Sequence, residues 1–319
     1  MHSERPPNVP HSPPLVVITG PTAAGKSALA LQVAEELGGE IISADSMQVY
    51  RHLDIGTAKP GPAERARVPH HLVDYVDPVE TYHVARFLAD AEAAVRAVAA
   101  RGAVPVVCGG TALYLRALLY GLAPGPGRDV ELRRVLEARW DAGEGPALWE
   151  ELGRADPELK ARLHPNDRTR VIRGLEVWAA SGRPLSAWQR GHGFAQRRSP
   201  VLLLGVHVAR DELYRRIDAR VLRMVDIGWV EEVRGVLAAG YSPESPPLQA
   251  IGYRQLCAWL LQGGDLQQTV AAIQRQTRHF AKRQLTWFRR LEPRWVASGT
   301  PEEGLTQARK FLQTCPPSL

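Results

Sequence analysis

The ordered pattern of the chain begins with five residues suited to a fully buried strand, Leu15-Val16-Val17-Ile18-Thr19. An Ala/Leu-rich stretch from Ala28 to Leu37 follows and stops at Gly38-Gly39, where a helix would end in left-handed backbone. A second apolar run, Glu40 to Ala44, leads to Asp45-Ser46. Helical spacing over Ala85 to Ala100 gives way after Gly102 to the strand Val104 to Cys108 and the turn Gly109-Gly110-Thr111. Another strand, Val201 to Val208, appears only after a long helical interval, and beyond Ala209 the pattern is helical almost to the end. Strands alternating with helices predict an α/β fold, a parallel sheet covered by helices on both faces.

The interval before Val201 predicts the domain organisation. It opens at the break Ala123-Pro124-Gly125-Pro126-Gly127 and closes in the Arg/Gly-rich stretch Gly191 to Ser199, so residues 125–199 read as a helical insertion. Residues 15–124 and 200–319 then form one core, and residues 1–14 a disordered tail without the apolar centre of a signal peptide. No internal repeat is visible.

Composition narrows the class. Of 319 residues 45% are hydrophobic and 23% charged, which excludes global disorder. No run approaches the roughly 18 apolar residues that a membrane helix needs. Three scattered cysteines, Cys108, Cys257 and Cys315, form neither a disulfide framework nor a zinc pattern, and a reducing cytoplasm suits them. The net charge is +6, and its placement says more than its size. Val177 to Arg210 and Leu266 to Leu291 contain no acid but carry five and six Arg or Lys residues respectively. Such tracts fit either a polyanionic partner or a solvated surface. At about 100° per residue, Arg275, Arg278, Lys282 and Arg289 share one helix face. Ile273, Phe280, Ala281, Trp287, Phe288 and Leu291 lie roughly opposite, and Gln284 points with them, an amide suited to a site rather than a plain core.

The clearest chemistry is the octet Gly20, Pro21, Thr22, Ala23, Ala24, Gly25, Lys26 and Ser27, a phosphate loop standing between a strand and a helix. Its backbone N–H groups and the helix start would cradle phosphate, with Lys26 as a mobile cation and Ser27 as a hydroxyl ligand for Mg²⁺. By motif alone the ligand would be a nucleotide such as ATP, and the sheet a P-loop NTPase-like one. Nucleotide hydrolysis usually adds a Mg²⁺-holding Asp after a second apolar strand, but Val104 to Cys108 ends in Gly-Gly-Thr. The carboxylate stands instead after the strand next to the loop, as Asp45, on the ligand-binding edge of a parallel sheet. Asp45 is either a reactive carboxylate or the cap of a turn, and Thr111 either an orienting hydroxyl or a helix cap. His70 and His71 have no third ligand at sensible spacing, so packing or capping is the better account of them.

At this point the sequence resembles the tRNA dimethylallyltransferase (tRNA isopentenyltransferase) family, in its bacterial form without a zinc-finger extension. The likeness runs from about Leu15 to Arg290, through Gly20 to Ser27, Ser43 to Tyr50, Asp54 to Pro60, His70 to Asp74, Gly109 to Tyr114, Asp156 to Asp167, Arg170 to Val177, Ala250 to Gln255 and Arg278 to Phe288. Arg51 and Trp229 depart from the residues usual in the family. The resemblance implies transfer of a dimethylallyl group from its pyrophosphate to the N6 amine of adenosine 37 in tRNA, with Mg²⁺ as cofactor. The loop would then grip pyrophosphate, with Arg216 and Arg220 as further ligands, though surface arginines on an amphipathic helix would look the same. Asp45 would serve as general base and Thr111 as its active-site companion. Contact with tRNA is implied for Asp45, Ser46, Met47, Gln48, Thr111, Arg133, Thr169, Arg170, Arg173, Gly252, Tyr253, Arg254, Lys282, Arg283, Gln284, Trp287 and Arg289, and the insertion would grip the anticodon stem-loop. A soluble monomer, without membrane attachment, is expected. The rival readings are a P-loop nucleotide or small-molecule kinase and a non-enzymatic RNA-binding NTPase switch. The kinase leaves both acid-free tracts and the inserted lobe without a purpose, and the switch lacks its switch loops and its Mg²⁺ carboxylate.

Overall fold

The computed structural model describes residues 13–194 and 196–315, so most of the expected tail lies outside the described residues. Six strands form one parallel sheet in the order β3-β2-β4-β1-β5-β6. They are β1 (Leu15–Thr19), β2 (Gly39–Ser43), β3 (His70–His71), β4 (Val104–Gly109), β5 (Val201–His207) and β6 (Arg294–Ala297). The inner strands β1 and β4 are buried along their whole length, as expected of a parallel sheet shielded by helices. The two edge strands were not anticipated. His-His and Arg-Trp-Val-Ala are too short and too polar to show a strand period, and they pair only because β2 and β5 present open edges to them.

The sheet is flanked by α1 (Lys26–Leu37), α2 (Pro62–Arg67), α3 (Val84–Ala100) and α4 (Ala112–Tyr120). Gly38 ends α1 at φ 61° and donates its N–H to Ala34 O, the expected glycine stop. Because the strands are parallel, the carboxyl ends of β1, β2 and β4 share one edge. The phosphate loop, Asp45 and Thr111 leave the sheet there. Thr19 Oγ1 donates to Gly109 O at 3.0 Å, tying two of these ends together.

The chain divides into two compact units, one running to Leu119 and resuming at Arg197, the other Tyr120–Gln196. The second unit holds α5 (Val130–Arg139), α6 (Gly145–Ala155), α7 (Pro157–Arg162), α8 (Arg168–Ser181) and α9 (Leu185–His192). It has its own core, with Leu136, Leu148, Leu152, Leu159, Val171, Ile172 and Leu175 buried together. Asp156 is fully buried: Oδ1 caps α7 at Leu159 N (2.9 Å) and Oδ2 accepts from Ser186 N (2.8 Å). After β5 come α10 (Arg210–Asp226), α11 (Trp229–Ala238), α12 (Tyr253–Gln262), the long α13 (Leu266–Arg289) and, beyond β6, α14 (Pro301–Thr314). Where the chain leaves and rejoins the first unit, Arg198 N–H donates to Leu119 O at 3.0 Å. Among the described residues no helix is long and apolar enough to cross a membrane.

Candidate active site

The phosphate loop turns through left-handed backbone at Ala23 (φ 63°) and Gly25 (φ 93°) before α1 begins at Lys26. Lys26 shares its surroundings with Asp45, Arg220 and the thiol of Cys108. Burial pushes its ammonium below the usual lysine value; Cys108 and Asp45 oppose that shift, and Arg220 adds to it. Arg220 is likewise lowered by burial and supported by Asp45. Two cations held in a poorly solvated place and sharing the influence of one carboxylate favour an incoming polyanion. Arg216 lies at the same edge: its Nη1 donates to Ser298 Oγ at 2.7 Å, and a Cβ on Gly25 would stand 3.4 Å from that oxygen. Burial keeps Cys108 a thiol by raising it to about 11. Ser27 is exposed.

Asp45 Oδ1 accepts the N–H of Met47 at 2.9 Å, a turn of the kind Asp favours. That capping bond uses one oxygen; among the described residues no hydrogen bond engages the other. Thr111 does not cap its helix with its side chain. Its Oγ1 accepts the N–H of Ser46 at 3.0 Å and donates to Ser46 Oγ at 3.3 Å. The glycines before it permit this approach, because a Cβ on Gly109 would fall 2.1 Å from Ala44 O. Gln48 is engaged at both ends of its amide, accepting from Ser43 Oγ (3.0 Å) and donating to Ala58 O (3.0 Å) and Thr57 O (3.3 Å). Behind the loop lies a cavity of about 50 Å³ lined by Ser27, Ser43, Gln48, Glu64, His70 and Cys108 together with Ala30, Leu31 and Ile41.

The C-terminal candidates separate by face. Lys282, Arg283 and Arg289 on α13 are exposed, whereas Gln284 is 6% exposed and faces the phosphate loop. Phe280, placed on the apolar face by periodicity, is exposed at 37% and carries Arg283 5.9 Å from its ring. Arg290 lies 5.7 Å from the ring of Trp287. The acid-free tracts are not acid-free in space, since Arg190 pairs with Glu158, Arg198 with Glu92 and Arg278 with Asp218. Tyr253 is 1% exposed, with its hydroxyl on Glu232 at 2.7 Å, so its ring offers no surface to RNA. Arg254 is exposed, and Gly252 packs against Trp229, an indole also in contact with Gly56.

In the second unit, Arg133 Nη2 and Arg173 Nη1 converge on the fully buried Glu176 at 2.6 and 2.9 Å. Arg173 also donates to Pro126 O (2.8 Å) and Gly127 O (3.2 Å). Arg133, Glu137, Arg168, Thr169 and Ile172 line a polar pocket of about 210 Å³, and the buried Arg133 Nε has no partner there. Arg170 is exposed and pairs with Asp167 at 3.1 Å.

Three charged residues went unnoticed in the sequence. Lys59, almost wholly buried, joins Tyr50 O (2.6 Å), Asp54 (2.5 Å) and Asp74 (2.8 Å), so it locks three of the motif stretches together. Glu232 accepts the N–H groups of Asp54 (2.7 Å) and Ile55 (2.6 Å), and Glu176 anchors the lobe arginines. Only the presence of a charge within an otherwise apolar or turn-like motif could have flagged them.

Comparison with known proteins adds to this geometry. A family model described as IPP transferase matches residues 48–291, and one described as isopentenyl transferase matches residues 13–71. A tRNA dimethylallyltransferase 1 of Citrifermentans bemidjiense is 52% identical over 274 residues, covering 86% of this chain and 88% of that protein. The solved tRNA isopentenylpyrophosphate transferase of Bacillus halodurans is similar at 36% identity and a TM-score of 0.70, over 94% of this chain and 97% of that one. A eukaryotic dimethylallyltransferase, solved acting on tRNA, is similar at 26% identity and a TM-score of 0.83, over 97% of this chain and 81% of that one. A sheet edge that gathers a phosphate loop, Asp45 and Thr111, together with family matches over most of the length, makes the chain a member of the IPP transferase family.

Proposed function

We propose that this protein transfers a dimethylallyl group from dimethylallyl pyrophosphate to the N6 amine of adenosine 37 in tRNA, releasing pyrophosphate. The carrying observation is the cluster of Lys26, Arg220 and Asp45 beside the glycine loop. The amine lone pair forms a bond to the terminal allylic carbon while that carbon's bond to oxygen breaks, and the bonding electrons leave with pyrophosphate. Negative charge grows on the diphosphate as the carbon becomes cation-like, where Lys26, Arg220 and the loop N–H groups stabilise it. The N6 proton passes to Asp45, through the oxygen not held by Met47, a role typically contributing about 10²–10⁴-fold.

Among the described residues no group of three His, Cys, Asp or Glu side chains could hold a metal. Mg²⁺ needs no such cage, and the exposed hydroxyl of Ser27 would be its protein ligand. When bound, it would further neutralise the leaving group. The exposed cations of α13 and the arginines of the lobe would meet tRNA phosphates. The same reading has the protein act in the cytoplasm, as a monomer.

The test is to incubate protein and Mg²⁺ with unmodified tRNA and either labelled dimethylallyl pyrophosphate or γ-labelled ATP. Label is expected in tRNA from the allyl donor alone. Label from ATP in a small acceptor, with none from the allyl donor in tRNA, would establish the kinase instead.

A further inference from the structure

Helix α13 faces two ways. Its exposed side carries Lys282, Arg283 and Arg289, and one turn contributes a buried amide between two loops far away in sequence. Gln284 Oε1 accepts the N–H of Thr22 at 2.9 Å, inside the phosphate loop. Its Nε2 donates to Gly110 O at 2.8 Å, at the end of β4. The orientation of the amide is fixed by its partners, because Thr22 N–H can only donate and Gly110 C=O can only accept. Gly110 is shaped to this contact: a Cβ there would lie 2.7 Å from Gln284 Nε2. The next residue, Thr111, holds Ser46 N–H, and Ser46 follows Asp45. One amide therefore joins the loop for the leaving group to the turn bearing the carboxylate.

We propose that Gln284 is a positioning residue for prenyl transfer, setting the distance between the phosphate cradle and the Asp45–Thr111 pair, and that it makes no contact with RNA. The assignment rests on the prenyl-transfer reading. Both ends of the amide are occupied inside the protein and little of it reaches solvent, unlike its neighbours Lys282 and Arg283. Only Gln combines an acceptor and a donor at this length; Glu would set an oxygen against the Gly110 carbonyl, and Met would satisfy neither partner. Reactive groups misplaced by about 1 Å can lose about 100-fold in rate, so a loosened strut acts on kcat.

The experiment uses the full chain with Gln284→Met and Gln284→Glu. It measures kcat and KM for both substrates, the Kd and salt slope for tRNA, the Kd for inorganic pyrophosphate, and Tm. For Gln284→Met, kcat is expected to fall about 10- to 100-fold, with weaker pyrophosphate binding and with tRNA Kd and salt slope unchanged. Gln284→Glu, which keeps the acceptor for Thr22, should also lose kcat while folding normally. Weakened tRNA binding with kcat retained at saturating tRNA would make Gln284 an RNA contact and overturn the proposal. Wild-type kcat in Gln284→Glu would overturn it too, as would a fall in every parameter in step with Tm. Should the wild-type protein transfer no dimethylallyl group, the functional reading fails by itself, and the pyrophosphate measurement still judges the strut to the loop.

Discussion

The hydroxyl of Thr111 accepts the backbone N–H of Ser46 at 3.0 Å, across 65 residues of sequence. This bond fixes the turn after β2 against the end of β4, so the direction in which Asp45 points depends on a side chain from another strand. Thr111→Val keeps the volume and removes the acceptor. It should lower kcat by about 10- to 100-fold through misplacement of Asp45, and Thr111→Ser should restore most of it. Steady-state kinetics check both; equal activity in Thr111→Val and wild type would sever the link.

Asp45→Asn retains an oxygen for Met47 N–H while losing the basic carboxylate. The turn should survive, tRNA affinity should change little, and kcat should drop about 10²–10⁴-fold. Single-turnover measurement separates chemistry from binding here, and near-normal turnover would remove Asp45 from the role of base.

Lys282 is exposed on α13, and among the described residues it has no carboxylate within ion-pair distance. Lys282→Ala should weaken tRNA binding and flatten its dependence on salt by about one phosphate contact. A titration at several salt concentrations reads this directly. A parallel shift with unchanged slope would place Lys282 off the RNA path.

Glu176 is fully buried between Arg133 and Arg173 and also accepts Asp129 N–H at 2.8 Å. Glu176→Ala leaves two guanidinium groups without their buried counter-charge and should destabilise the lobe by about 3–5 kcal/mol. Glu176→Gln, which keeps an acceptor, should cost less. Chemical denaturation of the two variants would show the ordering, and equal stabilities would mean that the pairing contributes little.

His70 is half-buried with Nδ1 on Val68 O at 2.8 Å, and burial lowers its ring below the usual imidazole value. Above about pH 6.5 neither folded nor unfolded chain holds the proton. Below that, the unfolded chain binds it first, so stability is lost as pH falls through the folded value. Denaturation midpoints between about pH 7.5 and 5.5 should therefore decline in the wild type and decline less in His70→Gln. Equal slopes would assign the acid sensitivity elsewhere.

Much of this is legible in the sequence alone. The inner strands and the glycine loop show themselves because burial on both faces forces continuous apolar runs, and a phosphate cradle forces small residues at fixed spacing. The odd position of Gln284 among apolar neighbours also showed in the helical period. Hidden from the sequence were contacts whose partners are distant: Lys59 with Asp74, Arg278 with Asp218, Glu232 with the loop at Asp54. Phe280 escaped for another reason. A helical wheel fixes angles but not the width of the covering layer, and at the edge of the stripe that layer is missing.

The single backbone bond from Arg198 N–H to Leu119 O brings together the two points where the lobe is attached. A polypeptide that exits and re-enters at adjoining atoms imposes no stretch on the sheet, whatever lies in between. Excision of residues 120–196, closed by a few glycines, would leave every strand register intact, and so would lengthening or grafting. The length and sequence of that segment can thus change without moving the strands that carry the phosphate loop, Asp45 and Thr111.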